Sequence, residues 1–143
     1  MEIAELKHKL RKIKCLEFKI RYGDTIAKRP VLVWDTFFDL REKPNGKARY
    51  SLERLAGMSR EEYKAVIDEY WSFVYRDIFG DPLHIPLNRS ESILLKWELP
   101  HDADAVAVKR KFHELAKLYH PDTGGSDEEF IELMNEYKKL TGI

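Results

Sequence analysis

Residues 102–143 read DADAVAVKRKFHELAKLYHPDTGGSDEEFIELMNEYKKLTGI, two periodic stretches on either side of one turn. In the first, Ala105, Val108, Phe112, Leu115, Ala116 and Tyr119 recur at intervals of three and four, which keeps one side of an α-helix apolar over four turns. Asp102 is placed to cap this helix. Pro121 disfavours helical geometry in the residue before it, so the helix is predicted to stop near His120. After Thr123-Gly124-Gly125, flexible by composition, a second helix is predicted, capped by Ser126 or Asp127 with Glu128 and Glu129 in its first turn. Its buried stripe would be Phe130, Leu133, Met134, Tyr137 and Leu140. Two amphipathic helices joined by so short a loop pack antiparallel, so His120, Pro121 and Asp122 are expected in solvent at the tip.

Further upstream the chain is less decisive. Ile3, Leu6, Leu10 and Ile13 have helical spacing, with Lys7, Lys9, Arg11, Lys12 and Lys14 filling the remainder. Leu16, Phe18, Ile20 and Tyr22 then alternate with Glu17, Lys19 and Arg21, which slightly favours a strand. Leu16 and Ile20 also continue the helical stripe, however, towards a stop at Gly23. Residues 31–34, after Pro30, would either pair with that strand in a hairpin or open a helix through Leu40. Lys43-Pro44-Asn45-Gly46-Lys47 is a turn, because Pro fixes φ and Asn-Gly accepts positive φ. A short helix is predicted over residues 51–56, stopping at Gly57. Ser59 with Glu62 forms a capping box that opens a long helix to about Phe79. That helix carries apolar residues around too much of its circumference for one stripe and is predicted to be central to the N-terminal part. Pro82 and Pro86 imply an extended connection, and the domain boundary is placed there, dividing residues 1–88 from 89–143. The expected fold class is mainly α, with a possible small β-hairpin near the N-terminus.

Composition narrows the function. The 143 residues are 43% hydrophobic, enough for a packed core, and carry 25 basic against 25 acidic side chains. A neutral chain has no global attraction for nucleic acid or anionic membrane, so electrostatic binding must come from local patches. One cysteine, Cys15, permits no intrachain disulfide and is expected as a small core residue. Five scattered histidines give no zinc spacing, and neither a metal nor a cofactor is expected. Without a signal-like or membrane-spanning apolar run, a cytoplasmic location is expected. Asp122-Thr123-Gly124 spells the aspartic-protease tripeptide, but that chemistry needs two such loops sharing a proton. The acids from Asp122 to Glu129 lack the alternating ligands of a calcium loop. No nucleophile-base pair or phosphate loop appears, so enzymatic activity ranks last.

The two-helix segment, with His120-Pro121-Asp122 between phased helices and Leu115-Ala116 and Tyr119 before it, resembles the J-domain of DnaJ-type co-chaperones. The resemblance covers about residues 92–141, and residues 93–100 resemble the family's short first helix. Gly124-Gly125-Ser126 and the stretch from Met134 to Lys139 look most like short-loop members of the family. Trp97 and Glu98 stand where the family usually has Leu-Gly, and His113 and Glu114 where it has an exposed basic pair. The family's fourth helix has no counterpart here.

The resemblance implies a regulator and not an enzyme. The basic face of the second helix would dock on an acidic face of an ATP-bound DnaK-type chaperone (heat shock protein 70 class), and Asp122 would pair with an arginine of the partner. His120 and Pro121 would fix the loop. The implied chaperone-binding residues are His120, Pro121, Asp122, Lys109, Arg110, Lys111, His113 and Lys117; Arg110, His113 and Lys117 share a face by spacing. An unknown client or adaptor target would be met by residues 1–88. Taken singly, the tripeptide also reads as a helix stop and the basic residues as a solvated face. The alternative is DNA binding through residues 51–79, a helix-turn-helix-like segment bent at Gly57. Glu61 and Glu62 would then face phosphates, so nucleic acid is a disfavoured partner.

Overall fold

The computed structural model describes residues 2–23, 30–80 and 90–142. The extended connection and domain boundary expected at residues 81–89 lie outside them. The fold is mainly α, in two compact units, Met1–Ile78 and Phe79–Ile143.

In the first unit α1 runs unbroken over Ile3–Tyr22 and ends at Gly23, whose φ is +62°. The strand favoured for residues 16–22, and with it the hairpin, is therefore not formed. Leu16 and Ile20 extend the stripe of Leu6, Leu10 and Ile13 into the core, while Phe18 and Tyr22 pair along the helix with ring centroids 5.1 Å apart. When every second residue is apolar, spacings of two and four coincide, and the side chain between them decides. That side chain is Glu17, which has no exposed surface. One carboxylate oxygen accepts from Trp34 N (3.0 Å) and Tyr70 Oη (2.5 Å), and the other from Val33 N (2.8 Å) and Arg21 Nε (2.7 Å). In a strand Glu17 would lie on the face opposite Leu16 and Ile20, away from the side they bury. Cys15, expected in the core, falls on the outer side of the helix and is exposed.

Residues 30–33 lead into a single helical turn, α2 (Trp34–Phe37), and directly into β1 (Phe38–Asp39). The helix is far shorter than one running through Leu40. β1 pairs in parallel with β2 (Tyr50–Ser51), Phe38 opposite Tyr50 and Asp39 opposite Ser51. Between them lies the turn around Gly46 (φ +76°), where Asn45 Oδ1 accepts from Lys47 N at 3.1 Å. Ser51 caps α3 (Leu52–Ala56), which stops at Gly57. Ser59 and Glu62 exchange reciprocal hydrogen bonds of 3.1 and 3.3 Å and open α4 (Arg60–Phe79). Val66, Ile67, Tyr70, Trp71 and Val74 of α4 are buried, as a central helix requires.

The second unit comprises α5 (Glu91–Lys96), α6 (Ala105–Tyr119), a 3-10 turn (Pro121–Thr123) and α7 (Asp127–Thr141). The N-cap of α6 is Asp104, whose side chain accepts from Ala107 N at 2.8 Å, not Asp102. A cap reaches only the first free amides of its helix, and the first helical residue is Ala105. Ser126 caps α7. The short helix α5 closes with Glu98 N donating to Leu95 O (3.0 Å) and Leu99 N to Leu94 O (2.8 Å), the paired bonds of a left-handed terminus. Glu98 takes that left-handed conformation with φ +58° although it has a Cβ.

Two stability predictions follow from these placements. Glu17→Leu leaves buried donors without an acceptor and is expected to lower the stability of the first unit by about 3–5 kcal/mol, read as an earlier guanidinium unfolding midpoint. An unchanged midpoint would refute the central role of the carboxylate. Glu98→Gly removes a left-handed penalty of about 1–2 kcal/mol against an unfolded-state entropy loss of about 0.4–1 kcal/mol. A net gain of roughly 1 kcal/mol is expected in thermal unfolding, with none for Glu98→Ala, which keeps the Cβ.

Candidate functional site: the turn between the last two helices

The last two helices are antiparallel. Phe112 of α6 stacks on Tyr137 of α7 with centroids 4.1 Å apart, and His120 at the end of α6 meets Phe130 at the start of α7 edge-on at 5.1 Å. Phe79, which belongs with this unit, lies 4.3 Å from the Tyr137 ring. Burial pushes the Tyr137 phenol up to about 12, consistent with a ring enclosed by apolar neighbours. Along α5, Lys96 joins Glu132 and Glu136 of α7, each at 3.0 Å, and ties the short helix to the pair.

The turn itself is tightly bonded, in contrast to the flexibility expected for Thr123-Gly124-Gly125. The carbonyl of His120 accepts from Thr123 N (2.9 Å), Gly125 N (3.1 Å) and Thr123 Oγ1 (2.9 Å). Thr123 Oγ1 also reaches the Lys117 carbonyl, so one hydroxyl closes the end of α6. Gly124 takes φ +99°, and Gly125 is pressed on the preceding helix: an added Cβ would stand 2.0 Å from Tyr119 O. These residues were not distinguishable in the sequence beyond their turn propensity, because the close approach depends on the path of the folded loop.

His120 was expected in solvent and is buried, 9% exposed. Its ring is held over Phe130, and Nδ1 accepts from Asp122 N at 3.2 Å. Pro121 is half-buried at the first position of the 3-10 turn. Asp122 alone of the three is well exposed, its carboxylate 3.7 Å from His120 Nδ1. The histidine therefore shapes the turn from inside, and the aspartate is what the turn displays.

The basic residues of α6 divide in a similar way. Lys109, Arg110 and Lys117 are exposed. Lys111 is half-buried and paired with Glu114 at 3.5 Å. His113 lies between Lys109 and Lys117 at four-residue spacing. Its burial, and then the two lysine charges, lower its pKa below the ordinary imidazole value, so it is neutral at neutral pH. The net positive face leading to Asp122 thus consists of Lys109, Arg110 and Lys117.

Among the described residues no group of histidine, cysteine or carboxylate side chains is arranged to hold a metal, and no described helix is long and apolar enough to cross a membrane. The segment resembling a helix-turn-helix forms α3 and α4, but α4 gives its apolar side to the core and exposes Glu61 and Glu62 at its start. That is a structural helix with acidic residues where a DNA reader would present its first contacts.

No family model matches the chain, and no solved structure matches it. Over 43 residues, 30% of its length, it is 46% identical to a tetratricopeptide repeat and J domain-containing co-chaperone from Cryptococcus neoformans var. grubii serotype A. The chain spans 8% of that relative's length.

Gly125→Ala is expected to destabilise the second unit by about 1–3 kcal/mol, because the clash is with backbone and the loop must move. Gly124→Ala, which meets no atom within 4 Å and carries only the strain of its positive φ, should be milder. Thermal unfolding and amide exchange at residues 120–125 measure both, and equal effects would refute the close-approach argument.

Proposed function

We propose that residues 89–143 form a J-domain and that the chain is a co-chaperone, stimulating ATP hydrolysis by a DnaK-type chaperone of the heat shock protein 70 class. Residues 1–88 would act as an adaptor for a client or for a target that localises the chaperone. The observation that carries the reading is the turn: Asp122 is displayed at the tip of an antiparallel helix pair while His120 and Pro121 form the turn beneath it. The partial identity to a J domain-containing co-chaperone supports the same reading.

In this mechanism Lys109, Arg110 and Lys117 steer α6 onto an acidic face of the ATP-bound partner. Charges of this kind act mainly on encounter rate and register, and their effect fades with salt. Asp122 then meets an arginine of the chaperone, where a charge-assisted pair gives direction as well as energy. Lys111 and His113 lie on the same helix but add little net charge to the docking face, one being paired and the other neutral. No bond is made or broken by this chain. It favours the partner's hydrolysis-competent conformation through differential contacts.

Single-turnover ATP hydrolysis by a DnaK-type chaperone from the same source tests this directly. The wild-type chain should accelerate hydrolysis, Asp122→Asn should abolish most of the acceleration with its fold intact, and His120→Gln should abolish it through a disordered turn. Absence of stimulation by the wild-type chain would reject the co-chaperone reading and leave the turn as a helix stop.

A further inference from the structure

A groove of about 470 Å³ opens in the first unit between α1 and residues 34–48. Trp34 and Phe38 form its floor and are themselves nearly buried. Arg11 and Lys14 stand on one wall, and Arg41 and Lys47 on the other. Against these four cations the lining offers two carboxylates, Asp35 and Asp39, and both are engaged. Asp39 binds Arg41 through two side-chain contacts of 2.8 and 2.9 Å and a backbone contact of 3.0 Å. Asp35 lies 3.7 Å from Lys14, whose ammonium also sits 4.5 Å above the Trp34 ring. The positive excess is therefore local, on a chain whose formal charges balance.

Two of the cations are held in place before any ligand arrives. Asp39 grips the Nε and Nη2 edge of Arg41 while the side chain remains 61% exposed, and Nη1 takes no part in that grip. Lys14 is positioned by the ring beneath it and the carboxylate beside it. A guanidinium fixed in this manner suits planar, bidentate recognition of a carboxylate, and prior fixing lowers the entropic cost of binding.

We propose that this groove binds an acidic, extended segment of a protein partner. The inference rests on the adaptor role proposed above for residues 1–88 and names the chemistry of its target. Carboxylates on alternate residues of an extended chain point to one side about 7 Å apart, a spacing suited to cations along two walls. Nucleic acid fits less well. The floor aromatics, Trp34 and Phe38, are too buried to stack on bases.

The test is fluorescence anisotropy of the full chain with a fluorescein-labelled peptide of alternating glutamate and serine containing one phenylalanine. A lysine-serine peptide and a single-stranded uridine oligonucleotide of matched charge serve as comparisons. The acidic peptide should bind in low salt, and the double variant Arg11→Glu/Lys47→Glu, which alters two exposed walls and no core contact, should weaken it about tenfold or more. Arg41→Lys, which keeps the charge but loses the planar fork, should weaken it less. No binding of the acidic peptide, or binding unchanged in the double variant, overturns the proposal. Tighter binding of the oligonucleotide, lost in the same variant, overturns it in favour of nucleic acid. His120→Gln should bind the peptide normally, and Arg11→Glu/Lys47→Glu should stimulate the chaperone normally, so failure here and failure of the co-chaperone reading are separately visible.

Discussion

The first unit depends on one buried charge. Glu17 lies on a helix that otherwise turns only apolar side chains inward at its centre, and it gathers donors from three places in the chain. Two of them are the first amides around α2, a helix of four residues with no side-chain cap of its own. Helix ends leave amides without intrahelical partners, and here a carboxylate from another helix supplies them. Arg21 balances the charge from the next turn of α1 and reaches on to Asp77 at 2.7 Å. Tyr70 adds a phenol whose ionisation is strongly disfavoured, first by burial and then by the adjacent carboxylate, so it remains a donor. Such an arrangement is stable only when complete, because the desolvation of a buried carboxylate is offset by all its partners together. It also sets the groove: Trp34, fixed by its amide to Glu17 and by Nε1 to Leu10 O at 2.9 Å, is both core and floor.

The second unit is organised differently. Its helices are held by rings, with Phe112 and Tyr137 stacked and Phe79 beside them. Midway along α7, Lys96 bridges to Glu132 and Glu136. At the turn the His120 carbonyl collects the amides of Thr123 and Gly125. Apolar stacking fixes distance and angle between helices without demanding a particular loop, and the turn's shape is therefore set locally by hydrogen bonds and by the missing Cβ of Gly125.

This difference explains what was legible in the sequence. Helices α6 and α7 could be read from periodicity because their burial is one-sided, and Ser59 with Glu62 announced the start of α4 through local bonds. Residues 16–22 were misread because their deciding partner, Tyr70, is 53 residues from Glu17, beyond any local pattern. Asp102 was read as the cap of α6, but the helix begins at Ala105 and the free amides are reached by Asp104. Cys15 was assigned to the core by residue type, whereas its angular position on α1 puts it outside. The candidate site shows the same division: its residues were named by motif, but the inward direction of His120 follows from Phe130, ten positions later, and from a loop path that no propensity encodes.

The burial of His120 changes how the proposed site should work. An exposed histidine would contribute a contact to the partner; a buried one contributes the position of Asp122. Its Nδ1 accepts from the Asp122 amide at 3.2 Å, which ties the ring directly to the residue that the turn displays. Under the proposed mechanism the two residues have separable duties: Asp122 supplies a charge and His120 keeps that charge at one place relative to Lys117 and Arg110. A rigid turn matters because the aspartate must meet its partner at a register the basic face has already chosen. If it wandered, the favourable pair would be offset by the entropy of ordering it. The bonds packed around the His120 carbonyl meet that requirement before any partner arrives.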